Sequence, residues 1–195
     1  MINVDELFIV NYCHPNCLPL RNIVRLPKDE AFLLANDMAI KNVGATAFGR
    51  FADFENYYPR RIKTDRCLYE SFISLGGEPK VEHPLSFVLQ GSEYLNNWFD
   101  KGIITKILLK GISSKYISFT YGDSAATLEK TGIISVITKE MLLSSILNYE
   151  GTIDEYMNEM IEKYYYIEVQ LWNDDCCRCS SISSAVRPEG GEDFA

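Results

Sequence analysis

A single α+β domain, with helices packed on a mixed, mostly antiparallel sheet, is the architecture this sequence predicts, on three observations. The chain has 195 residues, 47% of them hydrophobic and 24% charged, which matches a globular chain able to bury roughly 70% of its unfolded surface without covalent staples. Short apolar runs with period-two alternation recur along it, as half-buried strands require. Between them lie stretches of helical spacing, several opened by Ser or Thr at a cap position and closed by glycine.

Leu7–Val10 is the first apolar run and predicts a buried strand, and Asn11–Pro27, with three prolines, predicts an ordered loop. Lys28–Asn42 follows as a helix, with Ala31, Leu34, Ala35, Met38 and Ala39 at helical spacing and Gly44 as its stop. A second helix is expected from Thr64 or Asp65 to Gly76-Gly77, leaving Phe48–Ile62 as an aromatic, basic connection. From Pro84 the period changes to two through Leu85, Phe87 and Leu89, after which Ser92-Glu93 predicts a capped helix through Trp98. Ile103–Leu109 and Tyr116–Tyr121 predict two more strands, and Ile133–Ile137 a short one. Thr138 caps a helix with Leu142, Leu143, Ile146 and Leu147 on its buried side. Thr152 and Glu155 have capping-box spacing ahead of Ile153, Tyr156, Met157, Met160 and Ile161 at i, i+3, i+4, i+7 and i+8. Tyr164–Trp172 is the last strand, and residues 174–195, polar and without period, are expected as a flexible tail behind a domain spanning 1–173.

The formal net charge of −8 opposes non-specific attraction to phosphate backbones and anionic lipid, which carry the same sign. No apolar run approaches the ~18 residues of a spanning helix, and Met1–Val10 carries two acids and no basic segment, so a cytoplasmic protein without membrane partners is expected. Phosphate-loop, dinucleotide-fingerprint, HExxH and GxSxG motifs are absent, and two histidines leave little for histidine-based metal or relay chemistry. Six cysteines are expected as reduced thiols in that compartment. Their clustering allows one alternative, a four-thiolate zinc site from Cys13, Cys17, Cys176 and Cys179 that would make a small zinc-stabilised interaction domain. Gly49–Arg66 interleaves five basic residues with Phe51, Phe54, Tyr57 and Tyr58, a pattern that suits a nucleic-acid strand, although Asp53, Glu55 and Asp65 equally suit internal pairing.

The candidate site lies on the last strand. Period two sets Tyr165, Ile167, Val169 and Leu171 on one face and Tyr164, Tyr166, Glu168, Gln170 and Trp172 on the other. A carboxylate inside such a strand breaks the local rule and marks a functional position; as a plain structural feature it would be a solvent-facing residue. With its aromatic neighbours it suits a small planar cationic ligand.

Four fragments, YCHPNCLPLRNI (Tyr12–Ile23), HPLSFVLQGSEYL (His83–Leu95), ISFTYGDSAA (Ile117–Ala126) and YIEVQLW (Tyr166–Trp172), resemble, in that order, segments of the DarT-like branch of the ADP-ribosyltransferase fold. The resemblance implies that Glu168 corresponds to the catalytic glutamate and that NAD is the substrate. Tyr12, His14, Arg21, Tyr164 and Tyr166 would then be the candidates for holding it, and ADP-ribose would pass to a nucleic-acid or protein acceptor. Where the family carries an arginine ahead of the serine, this chain has Gln90-Gly91, so another arginine, Arg21, Arg50, Arg60 or Arg61, would have to meet the phosphates. A non-catalytic nucleotide- or partner-binding module of the same fold is the alternative which that departure permits.

Overall fold

A computed structural model describes residues 3–179 and 181–184. Its centre is one seven-stranded sheet in the order β5-β4-β6-β2-β1-β3-β7, and every pairing is antiparallel. The strands are β1 (Phe8–Cys13), β2 (Leu85–Leu89), β3 (Ile103–Leu108), β4 (Ile117–Tyr121), β5 (Ile137–Thr138), β6 (Ile167–Leu171) and β7 (Ser181–Ser184). The helices are α1 (Lys28–Lys41), α2 (Gly49–Ala52), α3 (Phe54–Ser74), α4 (Glu93–Trp98), α5 (Ser124–Thr131), α6 (Lys139–Leu147) and α7 (Ile153–Tyr164).

Alternation divides the sheet into two faces. One carries Ile9, Phe87, Phe119, Ile167, Val169 and Leu171, and α6 and α7 close over it with Leu142, Ile146, Tyr156 and Met157, forming the main core. Each such side chain contributes about 1.5–3 kcal/mol on leaving water. Both helices start as their sequences demand: Thr138 caps α6, and Thr152 with Glu155 forms a reciprocal capping box on α7. On the opposite face α3 lies across the sheet, with Leu68 and Phe72 against Trp172. A third cluster, Ala31, Ala35 and Phe54 with Phe32, Phe51, Tyr57 and Tyr58 around them, joins α1 to α3.

Two expectations are corrected. α3 begins at Phe54 and runs through Pro59, where the proline and the aromatic, basic composition pointed to a loop. Burial of Phe54 at the start of the helix, with Phe32 and Tyr58 packed against it, outweighs the missing N–H. α5 forms between β4 and the strand expected at Ile133–Ile137, where no helix was expected; Asp123 caps it by accepting the Ala126 N–H at 2.7 Å. Beyond Asn173, Asp174–Cys179 form 3-10 turns and Ser181–Ser184 pair with β3; the rest of the expected tail, residues 180 and 185–195, lies outside the described residues. No helix among the described residues is long and apolar enough to cross a membrane.

Candidate active site

Glu168 sits mid-sheet. The register aligns Val10, Val88, Glu168 and Thr120 across β1, β2, β6 and β4, and beside that row Ser86, Gln170 and Ser118. The face expected to carry the carboxylate therefore also carries an unbroken polar strip. Its side chains link in sequence: Trp172 Nε1 donates to Ser118 Oγ at 2.8 Å, Ser118 Oγ to Gln170 Oε1 at 2.9 Å and Gln170 Nε2 to Thr120 Oγ1 at 3.2 Å. Thr120 Oγ1 then shares its one proton between Glu168 Oε2 at 3.4 Å and the Gly122 carbonyl at 3.3 Å. A connected, satisfied chain of this kind fixes rotamers in a way that isolated polar groups do not.

The turn after β4 supplies the carboxylate's second donor. Gly122 has φ of +75°, and a Cβ there would lie 3.3 Å from the Tyr164 carbonyl oxygen, so glycine lets the chain reverse directly into α5. The first residue of that helix, Ser124, gives its backbone N–H to Glu168 Oε2 at 2.8 Å, and the N-terminal end of α5 favours negative charge there. The Ser124 hydroxyl is buried beside it, and its oxygen has no hydrogen-bond partner of good geometry. Both bonds to the carboxylate fall on Oε2.

α3 roofs the site with Arg61. Its Nη2 donates to Ser86 Oγ at 3.0 Å, and its Nε lies 2.9 Å from Asp65 Oδ1, an ion pair whose N–H points off the hydrogen-bond line. Asp65 is fully buried, and its other oxygen meets His83 Nδ1 at 3.0 Å. Burial opposes the charge of Arg61, but Asp65, Tyr57, Glu168 and Asp123 around it outweigh that and keep the guanidinium protonated. The Glu168 carboxyl is held above its ordinary range, first by burial and then by Asp123, while Arg61 and Ser124, through its N–H and its hydroxyl, pull the other way. Tyr166 donates its hydroxyl to Asp123 Oδ2 at 3.2 Å, and burial, reinforced by Asp123, keeps that phenol protonated.

Of the residues singled out in the sequence, Glu168, Tyr166 and Tyr12 share this face. Tyr12 and Tyr166 belong to one cluster with Val10 and Val88. The Tyr12 hydroxyl accepts the Ser92 N–H at 2.8 Å, and burial raises its pKa against that bond. Tyr164 does not join them: it ends α7 rather than opening β6, and its ring stacks on Tyr121 at 5.1 Å, against the main core. Tyr165, with φ of +69°, makes the turn between helix and strand, which breaks the two-residue period before the strand begins. His14 lies apart, edge-on to Phe48 at 4.6 Å with Nδ1 accepting the Asn16 N–H; burial lowers its pKa, with Asp100 opposing. Arg21 is exposed in the loop after β1. Gln90 and Gly91, where the resembled family has arginine, both have positive φ and make the turn into α4.

Sequence reasoning did not connect Arg61, Asp65, His83, Asp123 or Ser124 to Glu168; the signal available for two of them was Gly122-Asp123-Ser124, a turn with an N-cap. Three of the five basic residues of Gly49–Arg66 are in ion pairs, Arg61 with Asp65 inside the segment and Arg60 and Arg66 with Glu129 and Glu70 outside it. Two grooves of about 520 and 530 Å3 flank α3, and Glu168 lines neither. Among the described residues no three His, Cys, Asp or Glu side chains group as a metal site. Cys13 and Cys17 adjoin one another, whereas Cys176 and Cys177 pack against the main core; the side chain of Cys179 lies outside the described residues. No protein-family model, no curated protein and no solved structure matches the chain.

Proposed function

We propose that this chain is an ADP-ribosyltransferase-like protein that takes NAD as substrate and carries its catalytic carboxylate at Glu168. The observation that supports this reading is the isolation of one carboxylate on a central strand, oriented through Oε2 by the Ser124 N–H and Thr120 and set among Arg61, Asp123 and Tyr166. Breaking the bond between ribose C1′ and cationic nicotinamide leaves an oxocarbenium-like carbon, and a fixed carboxylate stabilises that charge where water is excluded. In this chain Arg61 and Ser124, through both its N–H and its hydroxyl, favour the ionised form of Glu168. Tyr12 and Tyr166 are the aromatic surfaces on the same face. ADP-ribose would pass to a nucleic-acid or protein acceptor.

A second reading, a nucleotide- or partner-binding module without turnover, is favoured by one observation: Glu168 is only 8% exposed beneath α3. The two separate in one experiment. Thermal-shift titration with NAD and ADP-ribose is expected to raise the apparent Tm, since a ligand that binds only the folded state stabilises it, by about 2.7 kcal/mol at a hundred times Kd. Glu168→Gln is expected to retain that shift and abolish nicotinamide release. Unchanged nicotinamide release in the variant removes the catalytic role. A shift with no release by the wild type selects the binding module, and no shift at millimolar NAD refutes both readings.

A further inference from the structure

Cys13 closes β1 opposite Ile103 in the β1–β3 ladder, and its side chain is buried. The next four residues form a tight turn in which the Cys17 N–H donates to the His14 carbonyl at 2.9 Å. That turn brings Cys17, itself half-buried, back beside Cys13, whose own S–H donates to the same His14 carbonyl at 3.5 Å. Arg50 stands next to the pair. Its guanidinium carbon lies 5.0–5.7 Å from the ring centres of Phe51, Tyr57, Trp98 and Phe99, and its Nε has no hydrogen-bond partner among the described residues. A half-buried cation held among rings acts on a neighbouring sulfur with less screening than one in bulk water.

We propose that Cys13 and Cys17 are a peroxide-reactive dithiol, in which Cys17 attacks the oxidant and Cys13 resolves the product to an intramolecular disulfide. The turn supplies the proximity, Arg50 the positive field and the difference in burial the order of reaction. The proximity of the two thiols divides the roles further. Cys17 beside it and burial push Cys13 up, so that Cys13 stays protonated; Cys13 beside it and Arg50 pull Cys17 down, against burial. In the first step the Cys17 thiolate bonds to one oxygen of a hydroperoxide, the O–O bond breaks, and the other oxygen leaves, taking a proton to become water or an alcohol. In the second, Cys13 gives up its proton and bonds to the Cys17 sulfur, the S–O bond breaks, and the departing hydroxide takes that proton as water. Two thiols lose two electrons between them and the peroxide gains two. The resulting ring would enclose His14 and clamp the loop after β1 to the strand end. The proposal is independent of the assignment of Glu168.

The test uses the reduced full-length chain with stoichiometric hydrogen peroxide, followed by denaturation, alkylation and peptide mapping by mass spectrometry. Expected is a peptide in which Cys13 and Cys17 are linked with loss of two hydrogens, while Cys67 and Cys177 remain fully alkylated. Cys13→Ser is expected to stop at a dimedone-trapped sulfenic acid on Cys17, and Cys17→Ser to lose oxidation at Cys13. Independently of any variant, brief native iodoacetamide treatment of the wild type is expected to label Cys17 before Cys13. Oxidation of Cys67 or Cys177 ahead of the pair, peroxide consumption by Cys17→Ser at the wild-type rate, or native labelling of Cys13 first would each overturn the proposal.

Discussion

Replacing Arg61 with methionine isolates the main electrostatic element of the site. Arg61 is 15% exposed and Asp65 fully buried, so this i,i+4 pair differs from the exposed Arg66–Glu70 pair on the same helix, whose side chains are 77% and 60% exposed. Pairs of the exposed kind contribute about 0–1 kcal/mol. Removing one partner of a buried pair leaves an uncompensated charge and costs about 3–5 kcal/mol. Here the variant would leave Asp65 with only His83, deprive Ser86 of its donor and remove the cation that offsets the burial of Glu168. For a domain of this size each kcal/mol shifts Tm by about 2–4 °C, so the variant is expected to melt about 6–20 °C below the wild type. Urea denaturation followed by tryptophan fluorescence gives the free energy directly. Asp65→Asn combined with Arg61→Met is expected to recover a large share of the loss, because it removes the stranded charge while keeping a polar partner for His83. A loss below about 1 kcal/mol for Arg61→Met, or no recovery in the double variant, would refute the reasoning by placing the pair in the solvent-screened class.

Glu168→Gln tests the same region through pH. A carboxyl whose folded pKa lies above its unfolded one binds its proton more tightly in the native state, so wild-type stability falls as pH rises from the ordinary carboxylate range through the folded pKa. The variant is expected to lack that fall, so its advantage over the wild type in urea midpoint should grow with pH; a difference independent of pH would contradict the raised pKa. Trp172→Phe removes the donor that starts the polar chain, and loss of the 2.8 Å bond to Ser118 is expected to cost about 1–3 kcal/mol, read as a lower Tm. Thr152→Ala breaks the capping box of α7, where Thr152 Oγ1 accepts the Glu155 N–H at 3.2 Å. About 0.5–2 kcal/mol should be lost, with hydrogen exchange rising first at the start of that helix.

What the sequence determined by itself is what short-range chemistry determines. The alternation of Leu85, Phe87 and Leu89 and of Ile167, Val169 and Leu171 made strands with a known inner face, because side-chain direction in a strand depends only on the period. The caps at Ser92, Thr138 and Thr152 set the starts of α4, α6 and α7, because the side chain that satisfies the first N–H groups is three residues away. Glu168 was legible as an anomaly on that basis, and its orientation opposite the main core followed from the same period. The rest depended on contacts between distant segments. α3 runs through Pro59 because aromatic packing on α1 stabilises it, which no local rule weighs. Tyr164 faces the main core because the positive φ of Tyr165 resets the register before β6. Arg61, Asp123 and Ser124 meet Glu168 only when α3 and the turn after β4 close over the sheet, bringing residues 107, 45 and 44 positions apart into one electrostatic cluster. A period or a cap is read within one turn of chain, whereas the surroundings of a buried charge belong to the whole fold.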